Sequence, residues 1–246
     1  MKSGLGSGLT RESKVPGLID GRCLQIGETM VAYTIKNYQS EMLESWLRCR
    51  ALAYMRSSFQ DEITAEKENV SDATGVSLVA IKDQQVIGIA EAIFLNQGQA
   101  KAASYGLHEG TVLTTLDTIA VHPDYQRVGI AKALLKQLRS RLKMRGGILL
   151  IYTLDDDAAN GLYQTIGAKL CYRASIVHGH SSKNHVPEWT HFRVTDDKQV
   201  AVYDEHDQEI AYGQDMETYY VGKSENIKQL TDVHKVVTEN VYILEL

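Results

Sequence analysis

A strand-like run over 111–121 passes through His122-Pro123-Asp124-Tyr125 into the turn Gln126-Arg127-Val128-Gly129-Ile130-Ala131, then directly into an amphipathic helix over 130–144. This succession constrains the chain more than any other feature, because strand, turn and helix follow with no slack between them. A turn in that position points successive backbone N–H groups the same way, at the positive end of the helix dipole. It is a cradle for an anion such as a pyrophosphate. On this reading Gly129 is required, since a side chain there would stand between the backbone and the phosphates, and Arg127, Lys132 and Lys136 add mobile positive charge. Taken alone, the pattern equally describes a tight turn followed by a basic surface helix. No Gly-Lys-Ser/Thr and no GxGxxG is present, so neither a nucleotide P-loop nor a dinucleotide fingerprint applies.

The flanking sequence supplies elements on both sides. Residues 30–36 alternate apolar and polar as a half-buried strand does, and 43–55 repeat Leu43, Trp46, Leu47, Arg50, Ala51 and Tyr54 along a helical stripe. The polar stretch 57–74 reads as a second, weaker helix or a loop. Strands over 76–82 and 86–95 are separated by Lys82-Asp83-Gln84-Gln85, a hairpin signature. The helix over 130–144 gathers Ala131, Leu134, Leu135, Leu138 and Leu142 on one face and stops at Gly146-Gly147. A fully apolar strand over 148–153 follows. Asp155-Asp156-Asp157 then caps a helix over 157–166 that ends at Gly167, and a strand returns over 170–177.

With these elements in place, LDTIAVHPDYQRVGIAKALL, from Leu116 to Leu135, resembles the acetyl-CoA-binding core of the GCN5-related N-acetyltransferase (GNAT) family. Asn160-Gly161-Leu162-Tyr163-Gln164-Thr165-Ile166-Gly167-Ala168 is similar to a second region of that family in a looser form. Ala131 stands where glycine is commoner, and Ala168 where an aromatic residue usually follows the glycine. The resemblance spans about 30–177 and is strongest over 116–168. It implies an α/β (α+β) architecture, a mixed, mostly antiparallel central sheet flanked by helices, known as the acyl-CoA N-acyltransferase fold. It implies acetyl-CoA as co-substrate and direct acetyl transfer to an amine of a small molecule or peptide. Position by position, it implies that the backbone of Ile119, Ala120 and Val121 hydrogen-bonds the pantetheine arm. Gln126, Arg127, Val128, Gly129, Ile130 and Ala131 would hold the pyrophosphate, and Asn160 would steady the cofactor. Tyr163 resembles the residue that protonates the departing thiolate.

Two carboxylates, Asp117 in the cofactor strand and Glu91 in the strand before it, interrupt otherwise apolar runs. Burial raises a carboxylate pKa and suits it to accepting an amine proton, while a salt bridge or a partly exposed strand end accounts for either residue equally well. Tyr163, beside Leu162 and Ile166, has the alternative of simple packing with its hydroxyl at the surface. Cys171 lies in an apolar strand without a neighbouring base and reads as a structural thiol. His178, His180, His185 and His191 lack a carboxylate or cysteine framework, so no metal site is assigned.

Composition bounds the rest. A chain of 246 residues, 43% hydrophobic and 23% charged, suits one ordinary domain with a smaller appendage. A net charge of −5 argues against a nucleic-acid partner. Three cysteines without a CxxC pair suggest neither disulfides nor zinc and fit a reducing cytoplasm. With no long apolar run and no signal-peptide core, no membrane partner is expected. The Gly/Ser-rich start reads as a flexible tail over 1–29, followed by an acetyltransferase domain over 30–178 and a linker over 179–188. A small antiparallel β appendage over 189–246 carries strands near 192–194, 200–204, 209–212, 218–222 and 240–244. Its tyrosines Tyr212, Tyr219 and Tyr220 suit an interface, with the transferase domain or in a homodimer. Two further readings stay open: a degenerate acyl-CoA-binding module that recognises a protein, and an acyltransferase with a hydroxyl acceptor.

Overall fold

The structure is a computed structural model and describes residues 22–26, 29–55, 57, 64–96, 101–182, 186, 188–215 and 218–246. In chain order it contains β1 (Arg22–Ile26), β2 (Thr29–Asn37), α1 (Leu43–Tyr54), β3 (Gly75–Lys82), β4 (Gln85–Phe94) and β5 (Leu113–Val121). These are followed by α2 (Ile130–Leu142), β6 (Ile148–Thr153), α3 (Asp157–Thr165), β7 (Lys169–Ser181), β8 (His191–Val194) and β9 (Val200–Tyr203). The chain closes with β10 (Glu209–Ile210), β11 (Gly213–Asp215), β12 (Thr218–Val221) and β13 (Leu230–Glu245).

Local chemistry accounts for the expected elements. Asp83 and Gln84 both take positive φ, 48° and 65°, which is the two-residue geometry that matches the twist of a β3–β4 hairpin. Gly129 caps α2 in the left-handed region at φ 85°. Beyond the other end of that helix, a Cβ on Gly147 would stand 2.1 Å from the Val112 carbonyl oxygen, so only glycine lets the chain turn there into β6. Asp156 caps α3 by accepting from the backbone N–H groups of Ala158 and Ala159.

Ten strands form one sheet in the order β1-β2-β3-β4-β5-β6-β13-β7-β12-β11, and β10-β9-β8 form a separate small sheet. Among the described residues only β5 and β6 are parallel neighbours, as expected for strands joined by the crossover helix α2. Alternation along the strands assigns the two faces. Leu78 and Ala80 pack with Leu134 and Leu138 of α2, whereas Val79 between them packs with Trp46 and Cys49 of α1. Leu149 and Ile151 face α2 and α3, while Leu150 packs with Val200 and Val202 of the small sheet. Thus α2 and α3 cover one face, and α1 and the small sheet cover the other.

This is the mostly antiparallel, helix-flanked sheet that the resemblance implied, with the small antiparallel sheet in the C-terminal third. Several boundaries differ from expectation. The stretch expected to be a tail includes β1, which pairs with β2 from Ile26↔Thr29 to Arg22↔Tyr33. The expected linker overlaps β7, which continues to Ser181. Most of the C-terminal third joins the main sheet: β13 inserts between β6 and β7, and β12 and β11 extend its edge. The 16 residues of β13 read as a strand only near their end, because the first half mixes Leu230, Val233, Val236 and Val237 with polar residues out of strict alternation and its partners are distant in sequence. No described helix is long and apolar enough to cross a membrane.

Candidate active site

β5 and β6 pair from Leu113↔Ile148 to Leu116↔Ile151 and then part, although β5 continues to Val121 and β6 to Thr153. A cavity of about 630 Å³ opens where they diverge, and Asp117, Ile119, Ala120 and Val121 line it from β5. On its other edge β5 pairs with β4, and the register jumps from Glu91↔Thr118 to Ala92↔Leu116. Asp117 is the extra residue of that β-bulge. Bulges re-aim side chains out of strict alternation, and here Asp117 is exposed on the cavity, accepting a 2.9 Å hydrogen bond from Thr118 Oγ1.

The glycine turn lies at one end of this opening. The Ala133 N–H makes the first helical bond, to the Gly129 carbonyl at 3.0 Å, so the N–H groups of Ile130, Ala131 and Lys132 have no partner within α2. Arg127 and Gly129 are both left-handed, at φ 63° and 85°, a local reversal that favours convergent N–H groups. Arg127 and Gly129 are exposed, Val128 and Ala131 are half-buried, and Ile130 is buried against the sheet. The Gln126 amide does a different job from the backbone around it: its Nε2 donates to the Val121 carbonyl at 3.0 Å and pins the turn to the end of β5. The residues therefore fit a polyanionic ligand through backbone donors.

Tyr163 of α3 lines the same cavity and is 3% exposed. Burial raises its phenol pKa well above the ordinary value, with Tyr54 and Asp156 adding to the shift. It therefore carries its proton at neutral pH. Asn160, expected to steady the cofactor, is instead committed to the protein. Its Nδ2 donates to the carbonyls of Leu154 and Asp156, each at 2.8 Å, and its Oδ1 accepts from the Tyr242 hydroxyl at 2.9 Å. Glu91 does not line the cavity. Its carboxylate pairs with Lys67 at 2.8 Å, both side chains being 4% exposed, and also accepts from Ser77 Oγ. The salt-bridge account of Glu91 is the one realised.

The sequence model of the acetyltransferase (GNAT) family matches residues 37–168, more than half of the chain. The chain belongs to that family. It is an acyltransferase, and acetyl-CoA is its co-substrate. A GNAT-family acetyltransferase from Streptococcus pneumoniae superposes with a TM-score of 0.52 at 11% identity, over 87% of this chain and 99% of that one. This supports the shared fold. The ribosomal-protein-S18-alanine N-acetyltransferase from Escherichia coli gives a TM-score of 0.47 at 16% identity, over 87% and 93% of the two chains. A GNAT acetyltransferase from Brucella melitensis in complex with acetyl-CoA gives 0.41 at 21% identity, over 56% and 82%. Among curated proteins, none matches this chain in sequence.

The remaining walls of the GNAT cavity come from residues with no sequence motif. Arg50 and Tyr54 reach it from the end of α1, and Tyr152 reaches it from β6. The C-terminal pair of strands supplies Ile176 and His178 from β7, with Lys235, Val237 and Glu239 from β13. The single available signal for Glu239 is a lone carboxylate beside the apolar run Val241-Tyr242-Ile243-Leu244, the same kind of interruption that marks Asp117.

Proposed function

We propose that this GNAT enzyme transfers the acetyl group of acetyl-CoA directly to an amine of a small molecule or a peptide. The observation that carries this reading is one cavity shared by the open end of β5, the Gln126 side of the glycine turn, Tyr163, and several ionisable side chains from β7 and β13. Acetyl-CoA supplies the activated thioester. The backbone of Ile119, Ala120 and Val121 binds the pantetheine arm at the strand end that β6 leaves, and the backbone from Gln126 to Ala131 receives the pyrophosphate at the start of α2. Bringing the amine and the thioester together in this cleft supplies most of the acceleration. Tyr163, protonated and buried, donates the proton that the leaving sulfur needs, and a carboxylate on the cavity takes one from the amine. Of the two carboxylates expected in that role, Asp117 meets the positional requirement and Glu91 does not. Asn160 supports the β6–α3 turn and acts on the cofactor through it.

The test is release of free thiol from acetyl-CoA in the presence of amines and of matched alcohols. Thiol release that needs an amine, with the acetamide identified by mass, is the expected result. Release driven by the alcohols would favour a hydroxyl acceptor. A raised melting temperature with acetyl-CoA but no release with any acceptor would favour a binding module.

A further inference from the structure

β7 and β13 build a wall of the cavity with a graded chemistry. Lys235, Val237 and Glu239 lie on one side of β13 by alternation, and they pair with His178, Ile176 and Ala174 of β7. Lys235, His178, Val237, Ile176 and Glu239 all line the cavity. At about 3.3 Å per residue, the wall passes from acidic through apolar to basic over about 13 Å of strand. The wall lies on the sheet face opposite α3. Tyr242 packs with Tyr163, their ring centroids 6.1 Å apart, whereas Val241 packs with Tyr172 and Val202 beneath the small sheet. Glu239 shares the face of Val241. The cavity therefore presents Tyr163 from one side of the sheet and Glu239 from the other.

Glu239 is half-buried in a surround of phenols. The Tyr220 hydroxyl donates to its Oε2 at 2.8 Å. Tyr172 lies behind Tyr220, hydroxyl to hydroxyl at 3.5 Å, and the hydroxyls of Tyr105 and Tyr152 are 2.5 Å apart nearby. Among the described residues no lysine or arginine forms an ion pair with Glu239; the lysine of the same wall, Lys235, is two positions beyond Val237. A carboxylate so enclosed carries a desolvation cost that the Tyr220 hydrogen bond offsets in part and a cationic partner would offset further. Glu239 lines the cavity.

We propose that Glu239 receives the acceptor as an ammonium group and removes its proton, and that the Lys235–His178 end of the wall selects primary amines whose far end is anionic. This rests on the acetyl-transfer reading. The ammonium gives one proton to the Glu239 carboxylate, freeing the nitrogen lone pair. The C–N bond forms at the thioester carbonyl and the C–S bond breaks. The sulfur leaves with the proton of Tyr163, which regains one from the nitrogen, and the proton on Glu239 passes to solvent. One acetamide, one thiol and one net proton result. An acceptor with a second ammonium meets Lys235 at its far end and is disfavoured, whereas a carboxylate there is attracted.

Glu239 faces Tyr172 of β7, Tyr220 of β12 and Tyr152 of β6, with Tyr105 beside the last, while Lys235, His178, Arg50, Asp117 and Asp156 complete the charged lining. Burial raises its pKa, opposed by the hydrogen bonds of Tyr220 and Tyr172. The active, ionised form is therefore lost as pH falls, at a higher pH than for an ordinary carboxylate.

Wild-type enzyme, Glu239→Gln, Lys235→Glu and Asp117→Asn are compared with aminocaproate, hexylamine and hexamethylenediamine as acceptors, and each variant's melting temperature is read with and without acetyl-CoA. The expected wild-type order places aminocaproate first and the diamine last. Glu239→Gln lowers kcat/KM about 100-fold, removes the acid limb of its pH profile, and keeps the acetyl-CoA shift in melting temperature. Lys235→Glu reverses the preference between aminocaproate and the diamine. The proposal is overturned if Glu239→Gln keeps both its rate and its acid limb, or if Asp117→Asn removes that limb instead. It is equally overturned if the wild type prefers the diamine, or if it accepts none of the three while acetyl-CoA still raises its melting temperature. Absence of any acetyl-CoA shift in the wild type would instead remove the underlying acetyl-transfer reading.

Discussion

The Tyr242 hydroxyl donates a 2.9 Å hydrogen bond to Asn160 Oδ1 and so ties the helix that carries Tyr163 to the last strand of the chain. Asn160 spends its Nδ2 on the carbonyls of Leu154 and Asp156, and Asp156 caps α3. Replacement of Asn160 by Ala removes three hydrogen bonds and deprives the half-buried Leu154 carbonyl and the Tyr242 hydroxyl of this partner. We expect a loss of about 2–3 kcal/mol, more than for Tyr242→Phe at about 1 kcal/mol, as measured by urea denaturation. If Asn160 bound the cofactor directly, Asn160→Ala would instead weaken acetyl-CoA binding with stability preserved.

Tyr163 sits 3% exposed on the cavity with its pKa raised by burial. Tyr163→Phe removes a proton donor and little volume, so kcat is expected to fall by about 100-fold with little change in the KM for acetyl-CoA. Steady-state kinetics with a saturating acceptor checks this. An unchanged kcat would make Tyr163 a packing residue.

The Lys67–Glu91 pair is buried on both sides, and Lys67 also lies over the rings of Tyr38 and Trp46, at 4.3 and 5.2 Å from their centroids. Glu91→Ala leaves a buried ammonium without its partner and should cost about 3–5 kcal/mol. The double variant Glu91→Ala with Lys67→Met should recover much of that loss. Calorimetry checks the order. Turnover per folded molecule should stay within about twofold in the double variant, because neither charge lines the cavity.

The position of β13 predicts how the chain tolerates truncation. A chain ending at Lys223 keeps every GNAT motif but lacks the strand that joins β6 to β7. Two interior strands then expose unpaired edges, and aggregation on expression is the expected result, checked by size-exclusion chromatography. A monodisperse, acetyl-CoA-binding product would show that the C-terminal third is dispensable.

Much of the architecture was legible locally. The period of α2, the glycine turn at Gly129, the Asp156 cap and the hairpin at Asp83-Gln84 are each set by residues within a few positions of one another, and so is the strand–turn–helix unit proposed to receive acetyl-CoA. These features also carry the family resemblance. The bulge that exposes Asp117, the enclosure of Glu91 by Lys67, the commitment of Asn160 to Tyr242, and the arrival of Glu239 at the cavity were not legible. Each depends on partners far apart in sequence: Glu239 pairs with Ala174, and Tyr242 reaches Asn160 across 82 positions. The first half of β13, mixed in character and without strict alternation, is held by β7 alone, and only its second half, from Asn240 to Glu245, lies between β6 and β7. The sequence by itself thus determined most of the elements and the glycine turn at the start of α2, whose physics is local backbone conformation. Only tertiary structure decided which charges line the cavity, because that depends on long-range strand pairing and on which carboxylates it pairs with a cation, as it pairs Glu91 with Lys67.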